Sequence, residues 1–377
     1  MRILIAPNTF KNSLPAEEVA NAIKEGLMQS RLKCDCICFP IADGGDGTGT
    51  LLNKKLSSSL INLTVSDPIG RRINSSYGIA PQDTAIIEMA DASGLRLLKV
   101  QDLDPLHSNS FGTGELISDA LNRNVKKIVL CVGGTATVDG GVGILQALGV
   151  KFLDQNKLEL KNIPQDLINL DSIDFSRINK RLGGCDVNIL CDVVNPLLGE
   201  KGAARVFGPQ KGASPEIIKV LESCLRQLAS VVKDQFNKDI STIVHGGAAG
   251  GVAAILHALL DAKLINGIDY FLSATGFDEV LRDCDLLITG EGCIDEQTLE
   301  GKGPFGVAVR AYDKNIPVVG LAGVIPLNPG AVLSQYFQVL LSINHRPQPI
   351  EEAIKNTKEN LVRAAQALGN SLAIKGY

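Results

Sequence analysis

Seven short glycine-rich or polar loops in this chain carry carboxylates, a lysine or a histidine. In order, they are "APNTFKNS" with Lys11, "PIADGGDGTG" with Asp43, Gly44, Gly45 and Asp46, and "CVGGTATVDGGVG" with Gly133, Gly134, Thr135 and Asp139. Then come "CDVVNPLLG" with Asp192, "FGPQKGAS" with Lys211, "VHGGAAGGVA" with Gly246 and Gly247, and "LLITGEGCIDEQT" with Gly290, Glu291, Gly292 and Asp295. Glycine lets several N–H groups turn inward and lets a ligand approach the main chain. A helix start after such a loop adds exposed N–H groups and partial positive charge, which suits phosphate. Carboxylates there repel phosphate unless a cation bridges them. Asp, glycine-rich loop and Lys together therefore point to Mg²⁺-nucleotide chemistry.

Each loop also has a plainer reading. A glycine pair after a strand makes an ordinary tight turn. Asp139 reads equally as a helix N-cap. Lys11 and Lys211 read as solvated lysines. Glu88, inside "AIIEMADASG", is a lone carboxylate in an apolar strand and needs a partner, which a structural ion pair would supply as well as a site would. Known templates are absent: there is no GxxxxGK[ST], no HRD or DFG, no HExxH and no GxSxG, and "GGDGTG" misses the spacing of GxGxxG. Of the four histidines, His257 lies among apolar helix residues and reads as packing, while His245 precedes a glycine loop.

The elements that must carry these loops alternate. Residues 2–6 read as a strand, 15–29 as a helix through Val19, Ile23 and Leu27, 34–39 as a strand and 47–56 as a helix. Such alternation predicts a parallel, helix-covered sheet. From Ile61 the texture becomes meander-like and antiparallel, which sets a domain change near residue 63. Helices are predicted over 114–122, 139–148, 215–232 and 252–260, with a strand over 126–132. Residues 151–181 are weakly patterned and read as an extended surface segment. The end returns to strand at 286–289, helix at 305–312, strands at 317–321 and 339–343, and one final amphipathic helix over 350–368. Beginning and end read alike. The expectation is an α/β protein with one doubly wound domain, residues 1–62 and 284–377, interrupted by an inserted α/β domain, 63–283, with a cleft between them. Loops at the carboxyl ends of such strands are where open α/β sheets bind ligands.

With 377 residues, 45% of them hydrophobic, the chain can bury a large core. A net charge of −4 without a basic stripe argues against nucleic acid. The start lacks a signal-peptide pattern, and no run approaches the ~18 apolar residues of a membrane helix. The nine cysteines form no CxxC pair, and Cys34, Cys36 and Cys38 share one strand face. They read as small apolar residues of a reduced, cytoplasmic protein. The composition is compatible with a monomer or a homo-oligomer.

Taken together and in order, "APNTFKNSL", "PIADGGDGT", "GGTATVDGG", "CDVVNPLLG", "FGPQKGA", "GGAAGG" and "ITGEGCIDEQT…GKGP" resemble the type-1 glycerate kinases over essentially the whole chain. The resemblance implies a flavodoxin-like domain carrying an inserted α/β domain. It also implies ATP-dependent phosphorylation of D-glycerate, in bacterial members usually to 2-phosphoglycerate, with ADP as second product and Mg²⁺ as cofactor. On that basis Asp192 and Asp295 are expected to form the acidic centre, one accepting the hydroxyl proton and the other holding Mg²⁺, with Asp192 favoured as base. Lys11 and Lys211 would face phosphates or the glycerate carboxylate. Asp43 and Asp46 would join the metal or the substrate hydroxyls, and the "GGTAT" and "GGAAGG" backbones would cradle nucleotide. The chain departs from the family's usual wording at Asn8, Asn12, Asp46, Val138 and Cys293, the last standing where Arg is common. The loops alone leave open phosphorylation at O3, another small hydroxy or sugar acid as substrate, and a non-catalytic ligand-sensing relative.

Overall fold

In the computed structural model the described residues are 1–374, without the side chains of Gln297 and Glu300. They contain the strands β1 (Arg2–Ile5), β2 (Asp35–Cys38), β3 (Ser59–Ser66), β4 (Arg72–Ala80), β5 (Thr84–Glu88), β6 (Lys127–Cys131), β7 (Lys151–Leu153), β8 (Ser172–Asp174), β9 (Asp186–Cys191), β10 (Lys263–Asn266), β11 (Leu286–Cys293), β12 (Val318–Val324) and β13 (Val339–Ser342). Contacts divide the chain into two compact units. One is Met1–Asp43 with the chain from Ile268 onward, and the other is Gly44–Gly267.

The first unit holds an all-parallel five-stranded sheet in the order β13-β12-β11-β1-β2. Counted within the unit and read from its other edge, that order is 2-1-3-4-5, the flavodoxin-like winding, which reverses between β1 and β11. The helix Ala16–Met28 forms because Val19, Ala20, Ile23 and Leu27 repeat at helical spacing behind Glu17 and Glu18 in the first turn. Its buried face packs with Ile3, Ile5, Leu286, Ile288, Val319 and Leu361. The single helix expected over 350–368 is instead two, Ile350–Lys355 and Thr357–Ala373, the first without a buried residue.

The second unit holds a six-stranded sheet in the order β10-β9-β6-β5-β4-β3. The hairpin partners β3–β4 and β4–β5 run antiparallel, as the meander-like texture predicts, and β5, β6, β9 and β10 run parallel. The helix Thr48–Lys55 lies against β5, so this unit starts ahead of the change in sequence texture. At the other end, Ile268 meets Gly306 and Phe277 stacks edge-on with Phe39 at 5.3 Å, which places both in the first unit. Residues 151–181 are not a surface segment. They form the pair β7–β8 and send Phe152, Leu160, Ile163, Leu167, Leu170 and Ile173 into the core, where irregular spacing had hidden the burial.

Candidate functional site

In the first unit, three loops gather at the carboxyl ends of β1, β2 and β11, at the point where the winding reverses. The loop after β1 is fastened by Asn8, whose N–H donates to the Gly290 carbonyl at 2.8 Å. Its side-chain Nδ2 donates to Asp43 Oδ2 at 2.8 Å. The same oxygen accepts the Gly303 N–H at 3.1 Å, at the start of the helix Gly303–Tyr312. Asp43 is thus oriented by both a side chain and a helix terminus. Asn12 takes φ +63°, a left-handed position that Asn tolerates.

The acidic loop differs from its expected form. β11 does not stop at Gly290 but continues to Cys293, pairing Glu291 with Ala322 and Cys293 with Val324. Gly290 is a sheet glycine: a Cβ there would lie 2.1 Å from the Leu321 carbonyl oxygen. Glu291 is buried, and its Oε1 accepts the Thr298 hydroxyl at 3.1 Å. Burial, with Asp43 nearby, pushes its pKa up to about 7 against the opposing influence of Lys302, Thr298 and Lys11. Lys11 itself is exposed. Thr298 also accepts the Asp295 N–H at 3.1 Å, so one hydroxyl sets both acids. Exposed Cys293 approaches Asp295 Oδ2 at 3.4 Å. Asp295 borders a hollow of about 270 Å³ with Glu296, Asn328 and Gly330.

In the second unit, the loops follow β5, β6 and β9. A Cβ on Gly133 would sit 2.2 Å from the Gly45 backbone carbon and 2.3 Å from the Asp46 nitrogen. Only glycine permits that approach, so the "GGDG" and "GGTAT" loops meet main chain to main chain. Asp46 pairs with Arg96 at 2.5 Å, and Arg96 also binds Asp91. Glu88, at the end of β5, accepts the Gly49 N–H at 2.6 Å on Oε2, while Oε1 has no partner among the described residues. Burial raises its pKa to about 8; Asp46 and Asp91 add to the shift, and the Gly49 N–H and Arg96 oppose it.

Lys211 is 3% exposed, unlike a solvated lysine. Its ammonium donates to Thr135 Oγ1 at 3.1 Å and to the Thr137 carbonyl at 2.7 Å. Burial pushes its pKa down to about 7, with Asp139 opposing. Asp139 is fully enclosed and accepts from the N–H groups of Ser110, Gly141 and Gly143 and from the Ser110 hydroxyl. Its carboxylate therefore orders the loop from within.

Asp192 is half-buried directly after β9. The next residues carry the "HGGAAGG" loop: the His245 ring nitrogen Nδ1 meets the Val193 carbonyl at 2.6 Å, and the Gly247 N–H donates to the Asn195 carbonyl at 2.8 Å. His245 and Ala249 hold φ of +68° and +53°, costly for residues with a Cβ and typical of sites whose shape is over-determined. His257 is exposed rather than packed, and its Nδ1 meets the Ala262 carbonyl at 2.8 Å.

The structure therefore joins Asp43 with Glu291 in one unit, and Asp46 with Gly133 and Gly134, and Lys211 with Thr135 and Asp139, in the other. Thr298, Arg96 and Thr137, which orient these groups, carry no signal in sequence beyond lying near a glycine loop, and Asn8 stands out there only as a departure from the resembled family's usual wording. No helix among the described residues is long and apolar enough to cross a membrane.

Comparison with known proteins agrees along the whole chain. A family model described as the glycerate kinase family matches residues 3–373. A glycerate 2-kinase of Escherichia coli (strain K12) is 41% identical, covering 99% of this chain and 98% of its own. A glycerate kinase of Haemophilus influenzae is 39% identical, covering 100% of both chains. The crystal structure of a Salmonella typhimurium LT2 protein assigned as glycerate kinase 2 superposes with a TM-score of 0.82 at 40% identity, covering 100% of this chain and 99% of the other.

Proposed function

The chain belongs to the glycerate kinase family and is a kinase, and from that premise we propose that it transfers the γ-phosphoryl group of ATP to D-glycerate, giving 2-phosphoglycerate and ADP. The observation that carries the reading is the end-to-end similarity to a relative named as a glycerate 2-kinase. The loop chemistry supports it, because every acid and lysine on which the reaction would draw is present in the chain.

In this reading, Asp192 accepts the proton of the glycerate hydroxyl as its oxygen attacks the γ-phosphorus, and the bond to ADP breaks. A rigid strand end suits that role, since proton transfer needs the base within hydrogen-bond reach. Lys211 faces the phosphates, held by Thr135 and Thr137. Asp139 fixes the loop that presents Gly133, Gly134 and Thr135. Gly44, Gly45, Gly246 and Gly247 offer backbone N–H groups to the nucleotide, and Asp46 joins the substrate hydroxyls when Arg96 releases it. In the other unit, Lys11 takes up anionic charge, and Gly290 and Gly292 bring the main chain of the acidic loop to the ligand. Glu291 and Asp43 set the local charge.

Among the described residues no three His, Cys, Asp or Glu side chains gather as a metal cluster. That suits Mg²⁺, which is ordinarily held by one or two carboxylates together with substrate phosphates rather than by an all-protein cage. With Asp192 as the base, Asp295 is the carboxylate that would hold it. When bound, Mg²⁺ neutralises phosphate charge.

The test is ADP release with ATP and Mg²⁺ against a panel of small hydroxy and sugar acids. D-Glycerate should give the highest kcat/KM. A higher value with another acid would reassign the substrate, and no ADP release with any acid would favour a ligand-sensing protein.

A further inference from the structure

Cys34, Cys36 and Cys38 take no part in the reaction above. They alternate along β2 and the residue before it, at the edge of the first unit's sheet, where β2 follows β1 in the strand order. Alternation turns their side chains to one face. That face meets the helix Ala16–Met28, since the Cys38 thiol donates to the Ala20 carbonyl at 3.7 Å. Lys24, one turn on from Ala20, acts electrostatically on Cys36. All three cysteines are free thiols and only partly buried.

The sulfurs of Cys34 and Cys36 touch at 3.6 Å. That spacing suits a shared ion. An ion about 2.3 Å from each sulfur, the usual zinc–thiolate distance, subtends an angle of about 100° at this separation. The angle is close to tetrahedral, so neither strand nor helix has to move. A disulfide would need the sulfurs at about 2.05 Å, far closer than they stand. The pair supplies two donors, because among the described residues no third His, Cys, Asp or Glu joins them. Zn²⁺ in structural sites takes four ligands. Cu⁺ is soft, is selected by thiolates and is satisfied by two or three of them.

We infer that Cys34 and Cys36 form a binding site for a soft monovalent cation of the Cu⁺ class, separate from the kinase chemistry. On binding, two S–H bonds break, two Cu–S bonds form, and both protons pass to solvent. No electron is transferred. The centre then carries one negative charge, which the Lys24 ammonium offsets. Without the ion, burial and then Cys34 and Cys38 push the Cys36 thiol up to about 12, with Lys24 opposing, so the pair rests as unreactive thiols. Partial exposure at a sheet edge lets the ion reach both sulfurs and leaves a third coordination position to a small thiol from solution.

The test is anaerobic titration of the whole protein with Cu⁺ against a chromophoric Cu⁺ chelator, without nucleotide. The wild type should take about one Cu⁺ per chain from the chelator. Cys34→Ser and Cys36→Ser should each weaken that binding ~10²-fold or more, since each removes one of two thiolates. Cys38→Ser and Cys293→Ser should retain it, and Zn²⁺ should compete poorly. Cu⁺ is diamagnetic, so amide NMR of the wild type locates it without any substitution: the amides of Cys34 and Cys36 should shift. Undiminished binding in Cys34→Ser or Cys36→Ser, loss in Cys38→Ser or Cys293→Ser, Zn²⁺ binding as tight as Cu⁺, or shifts confined to other amides would each overturn the inference. No ATP enters this titration, so its failure is separate from failure of the kinase reading, which ADP release reports.

Discussion

Lys211 offers the sharpest perturbation, because its environment fixes both the sign and the size of an effect. The ammonium is enclosed, bonded to Thr135 and Thr137, and its pKa falls from 10.5 to about 7 on burial. Above pH ~7 the folded protein has released this proton, whereas the unfolded chain holds it until pH ~10.5. The unfolded state then binds more protons, so the contribution of Lys211 to stability rises with pH across that window. Between pH ~7 and pH ~9 the rise integrates to about 2 kcal/mol. Lys211→Met keeps the length of the side chain and removes the titration. Urea unfolding of both proteins at several pH values, read as the difference between wild type and variant, cancels slopes from other groups. That difference should move in favour of the wild type by about 2 kcal/mol from pH ~7 to pH ~9. A flat difference would show that the folded state keeps Lys211 at its ordinary pKa, and the argument from burial would fail. The variant should also lose kcat/KM by ~10²-fold or more if the ammonium meets phosphate.

Other perturbations separate the remaining groups. Asp192→Asn and Asp295→Asn should each lower kcat by ~10²-fold or more in steady-state assays, and wild-type turnover in either would remove that residue from the chemical step. Gly133→Ala forces a Cβ to 2.2 Å from the Gly45 backbone and should cost about 1–3 kcal/mol in denaturant unfolding. Glu88 has a raised pKa of about 8, so the folded state binds its proton more tightly than the unfolded chain does. Its contribution is present at low pH and is lost as pH rises towards about 8, so Glu88→Gln should gain stability relative to wild type over that interval, as pH-dependent melting would show.

Much of this molecule is legible in its sequence, for identifiable reasons. The helix Ala16–Met28 announces itself because its apolar residues repeat with the helical period, and β1 and β6 because each is a short continuous run of buried apolar residues. Two features escape that logic. Residues 151–181 bury six large side chains through short strands and turns whose spacing follows neither period. β11 runs past Gly290 because the glycine there makes room for the Leu321 carbonyl, so a residue type that signals a turn in sequence serves the sheet instead. At the site, loop glycines and acids are visible by type, but the residues that aim them are not. Asn8 on Asp43, Thr298 on Glu291 and Arg96 on Asp46 are ordinary polar residues whose work exists only once the strands bring their ends together. Lys211 is the converse case: its type is evident, but the burial that changes its chemistry is not.

The central claim is the transfer of one phosphoryl group from ATP to one hydroxyl of D-glycerate. Phosphorus NMR of a reaction containing the protein, ATP, Mg²⁺ and D-glycerate tests it directly. The account predicts ADP together with a phosphoester signal split by the single proton on C2, as in 2-phosphoglycerate. A signal split by the two protons on C3 would move the reaction to the other hydroxyl, and ATP left unchanged would contradict the account.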